Sequence, residues 1–483
     1  MNIGNIIQNK VMIYLASRYI IYAVQFVTSL VVAAELGPYY MGIWGFILLL
    51  IQYFQQFHLG IANSFNVLYV HHRDNQQECN NYIGNSLVLL GCLAIFVVFF
   101  YLYYLFVGID SFEKYYADKY IVWICIIAIL QYFVQFFMNL FRVKNKLNHV
   151  TFCLSIVVFL NFICIFFFKE EQLIAWLVGG YVVGNLLCVV LALTSGDIPL
   201  FSQIHINLTY QKQILKKGIF LFLYNSCFYF IIISIRTIIS DNYSVEEFGL
   251  FTFSFTLAHA ILLILEAFSF IIFPKVISKL SSTVLEEVES TISLLRTTYI
   301  TSAHLLIYLA LICFPALLYF MPKYADALTS LNLIALTILM STSSFSYLEL
   351  LISRNKERLM AILSASALVI NCIMALLMVK WLHVTFSYVI IATMITYYIY
   401  TLSIIINGKK CIGNNLLKKD IAELIPLRLF IPYLVAFVLS VIQLENFIWV
   451  PAVLFVFLNW KMRNYIFDIV KKMIAKPEVV NLK

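Results

Sequence analysis

The chain has 483 residues, of which 63% are hydrophobic and only 12% are charged, and its formal net charge is +8. An ordinary soluble domain has roughly 45–50% apolar and about 25% charged residues, so the composition excludes a soluble globular protein. Apolar stretches of about 20 residues, the length that crosses a bilayer, recur along nearly the whole sequence. We therefore predict an all-α polytopic membrane protein.

The predicted membrane-spanning segments follow one another with short polar connections. The N-terminal residues lead into an apolar segment without the small-residue cleavage site of a signal peptide, so we expect the first helix to be retained. Two segments near the C-terminus are short, and we therefore predict 12 to 14 transmembrane helices. The segments lie at residues 12–34, 42–70, 84–107, 120–140, 149–168, 172–194, 216–239, 247–273, 297–320, 325–350, 358–379, 384–407, 427–443 and 446–462.

Basic residues are distributed unevenly between the two sides of this topology. If the N-terminus is cytoplasmic, 25 of the 32 lysines and arginines lie in cytoplasmic loops and tails. Lys and Arg accumulate on the cytoplasmic side of membrane proteins, so we expect both termini there. A simple additional role for these loops is attraction of anionic membrane lipids. The external loops contain Lys114, Lys119, Lys169, Lys323 and Lys380.

The sequence contains no pattern typical of an enzyme or of a cofactor site. Its ten cysteines are scattered, with neither disulfide nor metal-ligand spacing. It shows no nucleotide-binding loop and no activated nucleophile, and no predicted external loop is long enough for a soluble catalytic domain. We therefore expect a protein that is not an enzyme, holds no metal or other cofactor, and binds no nucleic acid.

Two short sequences recur at nearly the same offset. Residues 142–147 (RVKNKL) resemble residues 354–359 (RNKERL), and residues 41–46 (MGIWGF) resemble residues 248–253 (FGLFTF). Offsets of 212 and 207 residues at matching topological positions indicate a duplicated transporter with two six-helix lobes. We predict an N-lobe at 1–194, a cytoplasmic linker at 195–215, a C-lobe at 216–407, and a C-terminal segment at 408–483 containing an amphipathic stretch, a short helical hairpin and a basic tail.

The stretch around the first and second helices resembles a known family. Residues 35–46 (ELGPYYMGIWGF), continuing to 58–64 (HLGIANS), are similar to the first-to-second-helix signature of polysaccharide export proteins. These are O-antigen flippases of the Wzx type, in the multidrug/oligosaccharidyl-lipid/polysaccharide (MOP) exporter superfamily. Residues 244–251 (SVEEFGLF) and the basic loop after Arg142 resemble further parts of the family pattern. The resemblance covers about residues 10–410.

This resemblance implies a V-shaped pair of six-helix bundles, related to multidrug (MATE) exporters, that alternates access to a central lumen of the bacterial inner membrane. The implied cargo is an undecaprenyl-pyrophosphate-linked repeat unit of O-antigen, capsule or exopolysaccharide. A polymerase and a chain-length regulator of the same pathway are implied partners, and a proton or sodium ion is a possible coupling ion. Many relatives have Asp before the arginine of the seventh helix, whereas Ile235 precedes Arg236 here.

Charged residues inside the segments are the first candidates for a substrate site, because a charge at helix centre costs roughly 2.5–3.5 kcal/mol on insertion scales. We expect Arg18, together with Arg236, to give the lumen a positive potential for a pyrophosphate. The alternatives are a structural ion pair between Arg18 and Glu266, or snorkelling of side chains such as Arg236 and Glu349 to an interface.

The second helix has a polar waist, formed by Gln52, Gln55, Gln56, His58 and Asn63. The spacing of the three glutamines places them on roughly one helix face, which is typical of a sugar-contacting lumen and also of interhelical hydrogen bonding. Likewise, His259 and His304 are candidates either for a proton relay or for packing.

Two other functions remain open at this stage. A cation-coupled multidrug or organic-cation antiporter of the same superfamily would offer acidic residues to its substrate, but the segments contain two Arg against two Glu. A membrane polysaccharide polymerase or acyltransferase is the third possibility, and a polymerase would be expected to have a sizeable external loop.

Overall fold

A computed structural model describes residues 10–282, 284–413 and 426–460, and within these ranges the regular structure is helical, with no β-strand. The helices are α1 (Lys10–Gln56), α2 (Ile61–His71), α3 (Gln76–Val107), α4 (Asp110–Lys114), α5 (Ile121–Val143), α6 (Leu147–Cys164), α7 (Glu170–Thr194), α8 (Leu208–Asn242), α9 (Val245–Leu280), α10 (Leu285–Leu295), α11 (Thr301–Phe320), α12 (Leu328–Thr342), α13 (Phe345–Ser353), α14 (Glu357–Lys380), α15 (Ile390–Cys411), α16 (Leu427–Val441) and α17 (Val450–Leu458).

Ten helical runs within the described residues are long and apolar enough to cross a membrane, and two shorter apolar helices follow at Leu427–Val441 and Glu445–Leu458. The 36-residue α9 adds a further long helix. The prediction of an all-α polytopic membrane protein is thereby confirmed.

The first run, Ala16–His71, contains the first two predicted segments. Within α1, Gly37 has a φ of 66°, a value that L side chains rarely adopt, and Pro38 follows it. Because proline has no N–H to donate, the chain turns here, and α1 consists of two helices joined at a kink.

The predicted second segment, 42–70, is not one continuous helix. Helix α1 ends at Gln56 and α2 begins at Ile61. Between them, the backbone of Leu59 and Gly60 has the positive φ of the left-handed conformation. The N–H of Gly60 donates to Nδ1 of His58 over 2.9 Å, which compensates a backbone bond lost at the break. A similar break at Ser343 and Ser344 divides the predicted segment 325–350 into α12 and α13.

The chain divides into two compact units. Unit 1 comprises Met1–Ser226 and Tyr243–Thr252, and unit 2 comprises Cys227–Asn242 and Phe253–Lys483. In unit 1, α6 packs against α7 and α1, and α5 packs against α7. In unit 2, α15 packs against α12 and α14, and α16 packs against α12 and α17. Helix α8 begins at Leu208, within the predicted linker at 195–215.

Candidate functional site

The predicted polar waist lies at the end of α1 and across the break into α2. Gln52, Gln55 and Gln56 occupy the last turns of α1, His58 lies in the break, and Asn63 lies in the first turn of α2. All five side chains are half-buried. Their placement is compatible with either proposed role, a lumen face or interhelical hydrogen bonding.

The break itself is packed tightly against α8 within unit 1. A Cβ on Gly60 would lie 2.8 Å from Cβ of Phe222, and the ring of His58 is 5.5 Å from the Phe222 ring. Gly218 contacts Ser64 on α2 so closely that a side chain there would clash. This close packing fixes the position of the polar waist relative to α8.

Arg18 lies in the first half of α1 and is half-buried. Its guanidinium donates a hydrogen bond to the hydroxyl of Tyr22 and lies 4.9 Å from the centre of the Tyr22 ring. Attraction between the cation and the ring orients the guanidinium. The predicted partner Glu266 belongs to α9, but its side chain lies outside the described residues.

Arg236 lies within unit 2 and is only 1% exposed, so it does not snorkel to an interface. Its guanidinium lies 4.9 Å from the centre of the Phe255 ring. The ring of His259 lies 4.0 Å from the same Phe255 ring, centre to centre, with the two ring planes tilted by 38°. Nδ1 of His259 lies 3.0 Å from the carbonyl oxygen of Phe255. The structure therefore brings Arg236 and His259 together around Phe255, an association that the sequence did not predict.

The burial of Glu349 also argues against the interpretation that its side chain snorkels to an interface. The residue is 3% exposed, and its Oε2 has no hydrogen-bond partner among the described residues. His304, the other histidine considered for a relay, pairs with the Tyr308 hydroxyl at 3.0 Å and lies parallel to the Phe455 ring at 6.1 Å. These contacts of His304 favour packing.

Two asparagines on α3 have a structural role that the sequence pattern did not predict. Asn81 and Asn85 are 3% and 0% exposed. Asn81 Oδ1 accepts the His205 N–H at 2.8 Å, and the Asn85 amide bonds the His205 carbonyl and the Asn207 N–H at 2.9 and 3.0 Å. Two side chains one helical turn apart thus satisfy the extended backbone before α8, which fixes that connection against α3.

A buried carboxylate joins two loops next to this connection. Asp197 accepts from Nζ of Lys146 at 2.6 Å and from Nζ of Lys144 at 3.3 Å. Burial acts to raise the pKa of Asp197, but the bonds from Lys146, Lys144 and Ser195 together outweigh it and hold the pKa below its ordinary value. Lys144 and Lys146, predicted as part of a topology-determining loop, therefore also stabilise the structure.

Unit 2 contains a cavity of about 630 Å³ whose described lining includes three cations, Arg296, Lys409 and Arg428. Tyrosine, serine and threonine hydroxyls complete the polar part of the lining, together with His304 and Glu289. The described part of the chain contains no group of three His, Cys, Asp or Glu residues that would hold a metal ion. The sequence predicted no such cavity, because its lining comes from elements far apart along the chain.

Comparisons with known proteins agree on the kind of molecule. A family model described as polysaccharide biosynthesis protein matches residues 7–281. A search of curated protein sequences returned no match. A structure of the lipid II flippase MurJ in an inward closed conformation superposes with a TM-score of 0.69 at 14% identity, covering 94% of this chain and 100% of that one.

Other solved structures have a similar fold. An inward-facing multidrug resistance MATE transporter of the MOP superfamily gives a TM-score of 0.67 at 14% identity, covering 84% of this chain and 98% of that one. A MOP superfamily transporter from Pyrococcus furiosus, described as having a binding pocket of reversed polarity, gives 0.53 at 14% identity, with coverages of 83% and 94%. At these identities the likeness concerns the fold, which is that of a multi-pass membrane transporter.

Proposed function

Because the chain belongs to the polysaccharide biosynthesis protein family, we propose that it is a flippase for an undecaprenyl-pyrophosphate-linked oligosaccharide repeat unit. The unit, a precursor of O-antigen, capsule or exopolysaccharide, passes from the cytoplasmic to the periplasmic leaflet of the bacterial inner membrane by alternating access. The family match over residues 7–281 carries this proposal. A polymerase and a chain-length regulator are the partners that would use the product.

Arg18 supports an anionic cargo. A guanidinium has five N–H donors in a planar fork that matches phosphate oxygens. The described contacts of Arg18 use one donor, on the Tyr22 hydroxyl, and hold the cation against the Tyr22 ring. We assign Arg18 the binding of the pyrophosphate, and the half-buried Gln52, Gln55, Gln56, His58 and Asn63 contacts to sugar hydroxyls.

Arg236 has a different proposed role. Its side chain is buried against Phe255, so it contributes positive potential at a distance instead of touching the cargo in this conformation. His259 on the same ring is the candidate for a proton in a coupled cycle, and Glu266 in α9 is a candidate acid on the same helix as His259.

Flipping of a fluorescent polyprenyl-pyrophosphate oligosaccharide in proteoliposomes tests the proposal. We expect the wild-type protein to expose the label to an external quencher. Arg18→Ala should slow this by about 10- to 150-fold, since a charged hydrogen bond contributes about 1.5–3 kcal/mol. Arg18→Lys should retain part of the rate, because it keeps the charge without the fork. Lys217→Ala, which removes an exposed cation on α8, is the matched control and should leave the rate unchanged.

Two results would contradict the proposal at different levels. Full activity of Arg18→Ala at normal protein level would remove Arg18 from the pyrophosphate site. Failure of the wild-type protein to move any anionic or neutral lipid-linked unit, together with failure to complement a flippase-null strain, would overturn the flippase itself.

A cation-coupled drug antiporter is the second candidate, since the fold is also that of a MATE transporter. Such a transporter needs acidic groups that its substrate can reach, and Glu349 is enclosed by its own protein. The same proteoliposomes decide between the two functions. An imposed proton or sodium gradient that drives ethidium uptake, without flipping of the oligosaccharide lipid, would favour the antiporter.

A further inference from the structure

The cation-lined cavity of unit 2 brings together the ends of elements that are distant in sequence. Arg296 follows the last residue of α10, Lys409 lies in the last turn of α15, and Arg428 lies in the first turn of α16. The cavity volume of about 630 Å³ is within the range of roughly 300–1,000 Å³ that is usual for small-molecule sites.

The charge of the lining is strongly biased. Three basic side chains line the cavity against one acidic side chain, Glu289, among the described residues. Arg428 lies close enough to Arg296 for their charges to repel each other. Lys409 is only 4% exposed. An anion bound among these positive groups would be attracted by all three of them, and a hydrogen bond from an ionised donor is among the strongest that a phosphate oxygen accepts.

Hydroxyl and aromatic groups surround the cations. The guanidinium of Arg296 lies 5.5 Å from the centre of the Tyr347 ring, which orients it. Ser293, Thr297 and Tyr398 also line the cavity and supply hydroxyl groups. Guanidinium, ammonium and hydroxyl donors around one space are the set that phosphate oxygens accept.

The sequence places all three cations on the cytoplasmic side, where the positive-inside bias collects them. Apolar side chains of the neighbouring α16, including Ile431, Leu434 and Val438, are exposed on the protein surface. A cavity that is cationic inside and next to an exposed apolar helix face fits a ligand with an anionic head and an apolar tail.

We propose that this cavity binds the phosphate of a membrane-lipid headgroup from the cytoplasmic leaflet, with the acyl or prenyl chain lying along α16. The chemistry is shared by an anionic phospholipid and by a polyprenyl pyrophosphate. The site is built from residues of unit 2 alone, none of which the proposed function assigns to the cargo. Binding of a phospholipid there would go beyond the proposed transport function, whereas binding of a polyprenyl pyrophosphate rests on it.

Lipid binding to the purified, delipidated full chain, followed by native mass spectrometry in detergent, tests this site. The probes are phosphatidylglycerol, a diacylglycerol with the same chains, a polyprenyl pyrophosphate and inorganic phosphate. We expect phosphatidylglycerol or the polyprenyl pyrophosphate to bind more tightly than diacylglycerol. The double variant Arg296→Gln/Arg428→Gln should weaken this binding by roughly tenfold, since each cation near a lipid surface contributes appreciably.

Lys216→Gln/Lys217→Gln, which removes two exposed cations from α8, is the matched control and should bind like the wild type. Tighter binding of the polyprenyl pyrophosphate identifies a carrier lipid, and tighter binding of phosphatidylglycerol identifies a bulk phospholipid; both support the site. Equal binding by the pocket variant and the control would overturn it. So would equal binding of phosphatidylglycerol and diacylglycerol by the wild type, a comparison that does not depend on the variant folding, or full displacement of lipid by inorganic phosphate.

Discussion

Asp197 connects chain segments more than 50 residues apart in sequence through its pairs with Lys144 and Lys146. Its carboxylate is 8% exposed at the side chain, whereas the lysines are 21% and 35% exposed. Because the lysine side chains stay partly exposed to solvent, the free-energy cost of desolvating them is small. Much of their attraction to the Asp197 carboxylate therefore remains as net stabilisation. The basic loop was expected to determine topology and attract lipids, and only the folded arrangement shows that it also binds a buried acid.

We expect Asp197→Asn to destabilise the protein by about 1–3 kcal/mol at pH 7, because the amide leaves two lysines without their carboxylate. The folded pKa of Asp197 is lower than its ordinary value of about 3.9, so its stabilisation is fully present above that value. It is lost as the pH falls through the lower folded pKa. Thermal unfolding in detergent between pH 7 and pH 3 measures both effects.

The exposed Asp118, changed to Asn, is the control for this experiment and should leave the midpoint at pH 7 nearly unchanged. The difference in midpoint between Asp197→Asn and the wild type should shrink only at the acidic end. A constant difference over the whole pH range would remove the ion pair as its cause.

At the level of elements, apolar length predicted most of the helices but not their interruptions. The break at residues 57–60 depends on the left-handed Leu59 and Gly60 and on the local bond from Gly60 to His58. Such local backbone choices leave the hydrophobicity of the segment unchanged, so a length criterion passes over them. For the same reason, the hydrophobicity of segment 325–350 did not predict the break at residues 343–344 between α12 and α13.

The connection before α8 shows a second limit of sequence reasoning. Asn81 and Asn85 stand one turn apart just where an apolar segment begins, and this spacing was the available signal. Their partners, the backbone groups of His205 and Asn207, lie about 120 residues away. Because every residue except proline has the same backbone N–H and C=O groups, the sequence does not mark which of them bond to an asparagine side chain. Only the structure identifies His205 and Asn207 as the partners.

Helix α7 packs against α6 at Gly184, whereas its Gly179 faces open space. Substitution of these two glycines by alanine should change the stability of the protein in opposite directions. A Cβ on Gly184 would lie 2.7 Å from Cγ2 and 3.1 Å from Cα of Val157, whereas nothing lies within 4 Å of a Cβ on Gly179. We expect Gly184→Ala to lower the stability by about 1–3 kcal/mol, because the backbone of α6 cannot move aside freely. Gly179→Ala should raise it by up to about 1 kcal/mol through helix propensity.

Thermal unfolding of the two alanine variants in the same detergent measures this difference. The substitution is chemically identical and both positions lie on one helix, so the comparison isolates the contact with Val157. Equal midpoints for the two variants would show that α6 and α7 are not closely packed at this point.

For the whole molecule, composition and charge were sufficient to predict a polytopic helical protein, and the family match agrees with the resemblance found in residues 35–46. The predicted site residues stand differently. The sequence was sufficient to place Arg18 and the polar waist in the first two predicted segments. The group around Phe255 joins side chains of α8 and α9, so its assembly depends on helix packing that the sequence pattern does not contain.

The C-terminal hairpin is the part of the topology with the weakest sequence signal. Helix α16 has 15 residues, which span about 22 Å at 1.5 Å per residue, less than the roughly 30 Å hydrocarbon core. Its buried face nevertheless packs along α12, where the Tyr433 hydroxyl donates to the Leu336 carbonyl at 3.3 Å. A short helix that runs beside a spanning helix can cross by local thinning of the bilayer.

We therefore expect α16 and α17 to cross the membrane and to place Glu445 on the periplasmic side. Reporter fusions after Gly413, Glu445 and Lys483 test this in cells. The fusions after Gly413 and Lys483 should fluoresce with green fluorescent protein, which folds in the cytoplasm, and the fusion after Glu445 should be active with alkaline phosphatase, which requires the periplasm. Fusions after Lys169 and Asn145 calibrate the two sides, because the loop of the first has a single lysine whereas Asn145 lies among Arg142, Lys144 and Lys146. Fluorescence after Glu445 would mean that the hairpin stays at the cytoplasmic interface, and the cavity that we propose to bind lipid would then open directly to the headgroup layer.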